Sequence, residues 1–195
     1  NASKKYDSQN CVFRWFDGTI FPFDDETFNA VVSFQVIEHV KDDIQFLAEI
    51  YRVLKTGGQC LLTTPNRLFR VRPHKKPWNR FHIREYTPDT FEQVLKKIFL
   101  DVRVWGIRGS DEIQEIEKVR IRQIQKFVDI DPFNLRKLLP PKYETLIAKW
   151  GKKFLKKKLK SAPQKNYLQL YGVEDYFIIK NHIEESLDLL AFWEK

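Results

Sequence analysis

The stretch that most constrains the fold is an apolar segment, an amphipathic segment and a second apolar segment joined by short connections. Phe28–Val36 is nearly continuous apolar sequence, which predicts a strand covered on both faces. The pair Asp42-Asp43 supplies the predicted N-cap of a helix, and Gly57-Gly58 is its predicted stop. Gln59–Thr64 has the composition of another buried strand. Strand, helix and strand in this order predict a right-handed parallel crossover and therefore an α/β fold.

Polar side chains follow the ends of the apolar runs, including a short run at Val12–Phe16 that we interpret as a further strand. Open parallel sheets bind ligands at the carboxyl ends of their strands, so we expect these side chains to gather at one edge of the sheet. They are Asp17, Glu38, His39 and Asn66. The predicted helix between the last two strands carries its apolar residues on one face: Ile44, Leu47, Ala48, Tyr51 and Leu54.

Six motifs in order resemble those of class I S-adenosylmethionine-dependent methyltransferases of type 11, the branch that includes the ubiquinone and menaquinone biosynthesis methyltransferases. They occupy residues 17–18, 21–25, 28–33, 38–40, 52–58 and 64–66. The resemblance implies a partial Rossmann-like sheet with a mostly helical insertion before the last strand. We expect residues 1–107 and 183–195 to form the methyltransferase core. Residues 108–182 would be the insertion, a candidate lid or a platform for substrate or membrane.

The chain departs from the family at its start, because Gly18 is its first glycine and a GxGxG turn is missing. We therefore expect this chain to be the carboxyl part of a longer protein, inactive by itself and a weak binder of cofactor or none. In the family's strand order, 3-2-1-4-5-7-6, loss of the first two strands separates Val12–Phe16 from Ala30–Val36. That first strand should then be displaced, disordered or paired with another molecule, which would make the protein an oligomer.

The resemblance assigns cofactor-binding roles to four residues. Asp17 would accept a hydrogen bond from the adenine amino group, and Gly18 would present its backbone to the ring. Phe34 and Val36 would supply apolar contact to the same ring. The alternatives are an ordinary Asp-Gly turn for the first pair and core packing for the second.

His39 and His82 are the candidate catalytic residues. Methyl transfer from a sulfonium is an in-line displacement that often needs a base to take the acceptor's proton, and histidine titrates near neutrality. Each histidine also has a structural interpretation. His39 could be held by hydrogen bonds beneath the following helix, and His82 could bond to Glu85 or to the strand edge.

A metal site is a further alternative at the same place. Glu38, His39 and His82 are similar in arrangement to the metal ligands of small-RNA 2′-O-methyltransferases and of some quinone-pathway relatives. Those enzymes have another glutamate where this chain has Gln35, whose amide is a weaker ligand. From the sequence we therefore assign no metal.

Charge is concentrated in one segment of a chain whose net charge is +8. A predicted basic helix over 142–160 sets aromatic and aliphatic residues opposite a dense lysine face, which is typical of a helix on an anionic membrane. A helix packed on the sheet with a solvated lysine face is the structural alternative. Nucleic acid is disfavoured, because the lysines do not alternate with stacking aromatics.

The function that the resemblance implies is transfer of a methyl group from S-adenosylmethionine to a small-molecule, lipid-linked or sugar acceptor. The competing hypothesis is a non-catalytic scaffold that docks on membrane or on a protein partner through 142–160. Cys11 and Cys60 lie in predicted strands without CxxC spacing, which favours buried thiols in a reducing compartment. We expect a cytoplasmic protein with a candidate peripheral contact to the membrane.

Overall fold

The structure, a computed structural model, describes residues 11–16, 19–73, 75–79, 81–129 and 171–195, with side chains of the last helix described as far as residue 126. Within them five strands and four α-helices follow in the order β1 (Phe28–Phe34), α1 (Asp43–Val53), β2 (Leu54–Pro65), α2 (Arg67–Arg70), α3 (Pro88–Leu95), β3 (Val102–Gly109), α4 (Asp111–Asp129), β4 (Tyr176–Ile179) and β5 (Asp188–Glu194). Short 3₁₀ turns at Ile37–His39, Val173–Asp175 and Ile183–Glu185 connect some of them.

The strands form one sheet in the order β1-β2-β5-β3-β4. β1 and β2 are parallel, which confirms the predicted crossover through α1. β5 runs antiparallel to both β2 and β3, so the last strand inserts between strands that are adjacent in sequence. Its first four strands, β1-β2-β5-β3, correspond to the 4-5-7-6 half of the strand order that the family resemblance implies, and β4 is an additional strand next to β3.

The main core lies on one face of this sheet, where alternate residues of neighbouring strands are in register. Cys60 and Leu62 of β2 pair with Trp193 and Ala191 of β5, and all four are buried. Helices α1 and α3 contribute the apolar residues packed in the same cluster: Phe46, Leu47, Ile50, Phe91, Val94 and Leu95. The apolar side of each helix therefore packs against this face of the sheet, where every second residue of a strand places its side chain.

Helix α1 begins where the sequence predicts, since the Asp42 carboxylate accepts the Gln45 amide hydrogen at 3.0 Å. Its predicted buried face is wrong in part. Leu47 and Leu54 are buried as predicted, but Tyr51 is 41% exposed, and Phe46, Ile50 and Val53 are buried as well. The sequence Thr87-Pro88 is typical of an N-cap followed by the first helical residue, and helix α3 begins there, with Thr87 in a capping box with Thr90 and Pro88 in the first turn.

Gly57-Gly58 does not stop α1, which is a correction to the sequence prediction. The helix ends at Val53, and Leu54 is already extended and paired with Phe28. The glycines lie in an irregular stretch of β2 where the register shifts before Gln59 pairs with Ala30. Gly57 has a φ of 75°, and a Cβ on Gly58 would lie 2.7 Å from the Lys55 carbonyl oxygen. The pair therefore allows a bulge rather than a helix stop.

Two further strand predictions are wrong. β1 is not covered on both faces, since Val32 and Phe34 are 57% and 63% exposed while Ser33 between them is buried. Val12–Phe16 forms no strand, and Val12 and Trp15 are largely exposed. In the described sheet β1 is an edge strand, so its outer edge has no neighbouring strand. Cys11 is exposed whereas Cys60 is buried, so the expectation of two buried thiols holds only for Cys60.

The chain divides into two compact units. The first takes in Asn1–Pro77, Phe81–Ile107 and Ile178–Lys195, and the second Trp78–Arg80 and Arg108–Phe177. In the second unit α4 buries Ile113 and Ile121 and carries ion pairs on its exposed side, such as Lys118 with Glu115 at 2.8 Å. The predicted basic helix at 142–160 lies outside the described residues. No helix in the described ranges is long and apolar enough to cross a bilayer.

Candidate functional site

The candidate site lies where β1 ends, because the chain turns there and presents polar groups. Gln35 has a φ of 53°, in the left-handed region that is sparsely populated by non-glycine residues. Its amide nevertheless donates to the Thr63 carbonyl at 3.0 Å, which keeps the turn attached to β2. The 3₁₀ turn Ile37–His39 follows at once and directs the Glu38 side chain into the protein. Strained backbone of this kind is common at functional sites.

Glu38 is a fully buried carboxyl group with an incomplete set of partners. Its Oε2 accepts from the Thr64 hydroxyl at 3.2 Å, and Thr64 stands near the carboxyl end of β2. Its Oε1 accepts no hydrogen bond from the described residues. Burial raises the pKa of Glu38 above its usual value, partly opposed by hydrogen bonding and by the nearby His82 and His39. A buried carboxylate with one bare oxygen is costly unless a cation or donor reaches it.

His39 lies beside this oxygen at the partly exposed side of the site. Its Nε2 is 4.0 Å from Glu38 Oε1, beyond hydrogen-bond distance. Its Nδ1 lies 2.9 Å from the Phe81 carbonyl oxygen. A carbonyl can only accept, so Nδ1 carries the hydrogen and the lone pair of the neutral ring is on Nε2. The hydrogen bond expected if His39 has a structural role is therefore present at Nδ1.

His82 completes the cluster from the opposite side. Its ring meets that of His39 edge to face, with centroids 4.8 Å apart. Its Nδ1 lies 2.6 Å from Glu85 Oε1, and both side chains are almost entirely buried. The alternative bond to Glu85 that the sequence suggested is thus present. Glu38, His39 and His82 each offer one donor atom, and the three atoms lie within 4.8 Å of one another.

The segment that carries His82 is fastened directly to the 3₁₀ turn. The Ile83 amide donates to the Glu38 carbonyl at 2.9 Å, and the Arg84 guanidinium donates to the carbonyls of Val40 and Lys41 at 2.7 and 2.6 Å. Tyr86 donates its hydroxyl to Asp43 at 2.7 Å. No sequence signal singled out Arg84, although its hydrogen bonds join the segment that carries His82 to the residues directly after His39.

Asn66 lies at this end of β2, as predicted, but its side chain serves the fold. Its amide nitrogen donates to the carbonyls of Ile183, Glu184 and Ser186 at 2.9–3.1 Å, and its oxygen accepts from the Leu68 amide at 3.0 Å. The side chain is fully buried. Asn66 therefore joins the turn before β5 to the end of β2 and is not available to a ligand.

The motif at residues 21–25 owes its position to Arg52 of the motif at 52–58. Arg52 forms a two-pronged ion pair with Glu49, at 2.9 and 2.8 Å, and donates to the carbonyls of Phe21 and Phe23 and to Asp25. The buried Glu49 also accepts the Phe21 amide hydrogen at 2.7 Å. Two motifs far apart in sequence are thus parts of one anchor that holds the segment entering β1.

The predicted cofactor-binding residues are only partly placed by the structure. Asp17 and Gly18 lie outside the described residues, between Phe16, whose ring packs on Phe21, and Thr19. Phe34 projects from the uncovered face of β1, whereas Val36 packs against the core. The two are therefore in different environments, and their adenine contact stays a prediction.

Comparison with known proteins finds methyltransferases. Residues 1–62 match the family model described as a methyltransferase domain. A probable S-adenosylmethionine-dependent methyltransferase of Mycolicibacterium smegmatis is 40% identical over 81 residues, 42% of this chain and 32% of that protein. The ubiquinone/menaquinone biosynthesis C-methyltransferase UbiE of Desulfotalea psychrophila is 41% identical over 66 residues, 33% of this chain and 27% of that protein. The chain spans about a third of the length of the curated relatives it matches.

Among solved structures, the [4+2]-cyclase SpnF superposes with a TM-score of 0.50 at 15% identity, covering all of this chain and 59% of that one. Such a likeness concerns the fold alone. The fold is similar to that of the Rossmann-like class I methyltransferases. The sequence matches narrow the resemblance: residues 1–62 match a methyltransferase-domain family model, and the curated relatives that this chain is similar to include probable S-adenosylmethionine-dependent methyltransferases.

Proposed function

We propose that the protein to which this chain belongs transfers a methyl group from S-adenosylmethionine to an acceptor. One observation carries the proposal: the family motifs of residues 1–62 fold into parallel strands whose carboxyl edge presents Glu38, His39 and His82. Ligands of open α/β sheets bind at that edge. The curated relatives named as S-adenosylmethionine-dependent methyltransferases support the choice of cofactor.

The acceptor that we propose is a small-molecule, lipid-linked or sugar compound. UbiE is named for ubiquinone and menaquinone biosynthesis, which supports a lipid-linked acceptor. The partial exposure of His39 gives the cluster a route to solvent through which an acceptor could approach. The predicted roles of His39 or His82 as proton acceptor, and of Asp17 with Gly18 as the adenine site, belong to this proposal.

Isothermal titration with S-adenosylmethionine tests the cofactor assignment. We expect this chain to bind S-adenosylmethionine weakly and saturably, and any longer natural form that includes a GxGxG turn to bind it more tightly. ATP at the same concentration should not bind. Asp17→Asn should weaken binding by about tenfold, the value of one charge-assisted hydrogen bond. Asp24→Asn, at an exposed aspartate nearby, is the matched control and should bind as the parent does. Absence of binding by every form would favour the scaffold hypothesis.

Peripheral membrane contact through 142–160 is a second part of the proposal. Its support is the sequence alone, since the segment lies outside the described residues. Flotation with phosphatidylserine vesicles should recover the protein, and changing Lys152, Lys153, Lys156 and Lys157 to Glu should abolish recovery. The control changes four exposed lysines elsewhere to Glu and so has the same net charge: Lys41, Lys55, Lys75 and Lys97. Equal loss in both variants would mean that net charge, and not this segment, binds the vesicle.

A further inference from the structure

We propose that the methyl acceptor carries a phosphate group and that a basic surface at the carboxyl end of β2 binds this group. The surface consists of five side chains, which we call the basic segment: Arg67, Arg70, Arg72, Lys75 and Lys76. That the bound phosphate belongs to a methyl acceptor rests on the proposed function. The anion site itself rests on the charge and the position of these residues.

The basic segment lies in a long stretch of chain that has no negative charge. From residue 50 to residue 84 the sequence contains no aspartate and no glutamate, so the acids nearest in sequence are Glu49 and Glu85. Both are buried and already paired, Glu49 with Arg52 and Glu85 with His82. Neither carboxylate therefore neutralises the basic segment.

The ion pairs of the described structure leave much of this positive charge uncompensated. Lys75 and Lys76 are exposed, and neither forms an ion pair with a described residue. Arg70 approaches the Asp188 carboxylate at 4.0 Å. Basic side chains on α3 and α4, by contrast, are paired with acidic neighbours. A solvated surface normally intersperses both signs of charge, whereas residues 67–76 include no acidic residue.

Hydrogen bonds close the basic segment into a loop. The Arg67 guanidinium donates to the Lys75 carbonyl at 2.6 Å, and the Lys75 amide donates to the Arg72 carbonyl at 3.1 Å. The first of these bonds uses only Nη2 of Arg67, and a guanidinium has several N–H donors. The loop therefore brings its two ends together and still has donors to offer to a ligand.

The loop also lies at the edge of the sheet where ligands of α/β folds bind. Thr64, whose hydroxyl donates to Glu38 at 3.2 Å, stands three residues before Arg67. The Arg67 amide donates to the Tyr86 carbonyl at 2.8 Å, and Tyr86 comes shortly after His82 in the chain. Direct hydrogen bonds thus connect the basic segment to the residues on which the proposed methyl transfer depends.

Phosphate is the anion that suits this set of side chains. A guanidinium binds phosphate oxygens through two parallel hydrogen bonds, and a lysine ammonium adds a point charge. A phosphate monoester carries about −1.5 to −2 charge near neutral pH, more than a single carboxylate. Several cations in one loop therefore favour the phosphate, because the attraction grows with the charge of the anion.

Binding of inorganic pyrophosphate tests the anion site without cofactor or methyl acceptor. Calorimetry measures the affinity at about 0.15 M salt, where contacts between distant exposed charges are screened, and amide NMR shifts locate the site. We expect saturable binding with shifts at the amides of Arg70, Arg72, Lys75 and Lys76. Absence of saturable binding, or shifts that leave all four amides unchanged, would overturn the proposal.

Paired variants separate this site from a general effect of charge. Lys75→Gln combined with Lys76→Gln should weaken pyrophosphate binding by about tenfold or more, and circular dichroism checks that the double variant is folded. Lys55→Gln combined with Lys97→Gln removes the same charge at two exposed lysines elsewhere and is the control. It should bind as the parent does. Equal losses in the two double variants would contradict the inference.

Soluble and lipid-linked sources of the phosphate are distinguished with two probes, glucose 6-phosphate and dihexanoyl phosphatidic acid. Each should bind about tenfold more tightly than its counterpart without phosphate, glucose or dihexanoyl glycerol. The tighter of the two probes identifies a sugar or a lipid acceptor. Equal binding with and without the phosphate would refute a phosphate site.

Titration with S-adenosylmethionine tells failure of this inference from failure of the proposed function. If the cofactor binds and neither pyrophosphate nor the phosphate probes do, methyl transfer stands and the phosphate site is wrong. If pyrophosphate binds at the basic segment and the cofactor binds to no form of the protein, the anion site stands and its assignment to a methyl acceptor is wrong.

Discussion

At the scale of single residues, Arg52 shows why the family motifs have their spacing. One guanidinium contacts the Glu49 carboxylate, the Asp25 carboxylate and the carbonyls of Phe21 and Phe23. Four acceptor groups are thus bound by one planar fork of donors, which a lysine ammonium cannot reproduce. The sequence showed that residues 21–25 and 52–58 are motifs. It could not show that they contact each other, because the contact depends on the tertiary path of the chain.

Arg52→Lys should lower the free energy of unfolding by about 2 kcal/mol. The change removes most of the hydrogen bonds to the buried Glu49 and leaves that carboxylate underpaired. Urea unfolding followed by circular dichroism measures the difference. Arg103→Lys, at an exposed position of β3, is the control and should stay within about 0.5 kcal/mol of the parent. Equal effects of the two substitutions would refute the anchoring role.

The same pair predicts a dependence of stability on pH. The hydrogen bonds from Arg52 are the main reason that the pKa of Glu49 lies below its ordinary value of 4.5. A lowered folded-state pKa means that this stabilisation is present above pH 4.5 and is lost as pH falls through the folded-state value. Glu49→Gln should therefore be less stable than the parent at pH 7, and its stability should fall less between pH 5 and pH 3. Parallel curves of unfolding free energy against pH would contradict this.

At the scale of secondary-structure elements, Asn66 connects the end of β2 to the turn that precedes β5. Its amide group satisfies three carbonyls of residues 183–186, a segment far away in sequence. The Thr64-Pro65-Asn66 motif was recognisable from the sequence. The structural role of Asn66 could not be recognised from the sequence, because its partners are backbone carbonyls, which every residue has.

Asn66→Asp should cost about 3 kcal/mol of stability or more. The substitution removes the amide donors and places an oxygen that carries negative charge against buried carbonyl oxygens. Asn29→Asp is the control, because Asn29 is exposed on β1 and the same chemical change there should cost little. Thermal and urea unfolding measure both variants. A loss at Asn66 no greater than that at Asn29 would show that the junction is not held by this amide.

Elements with strong local signals were predicted well, and those that depend on neighbours were not. Thr87-Pro88 specifies the start of α3 through backbone bonds within four residues, so its position followed from the sequence. Phe28–Val36 is equally apolar, yet whether both faces of β1 are covered depends on which elements pack there. Gly57 and Gly58 fit a helix stop and a strand bulge alike, and only the pairing of β2 decides between the two.

At the scale of the whole molecule, the strand order β1-β2-β5-β3 was predictable only through the family resemblance. Hydrophobic periodicity marks strands but does not give their spatial order, and the return of β5 between β2 and β3 is a long-range pairing. The candidate site was foreseen in part. Glu38, His39, His82 and the bond from His82 to Glu85 were foreseen from the sequence, while Thr64 and Arg84 take their roles from three-dimensional proximity.

The central claim is that S-adenosylmethionine binds at the carboxyl edge of β1. Titration of the isotope-labelled chain with S-adenosylmethionine, followed by amide NMR shifts, tests it most directly because it detects weak binding and locates it. We predict saturable shifts at Thr19 and Phe34–Val36, with none in α3, and saturation of the same shifts at about tenfold higher ligand concentration in Asp17→Asn. Shifts that are absent at the highest ligand concentration, or that concentrate in α3 while β1 stays unchanged, would contradict the claim.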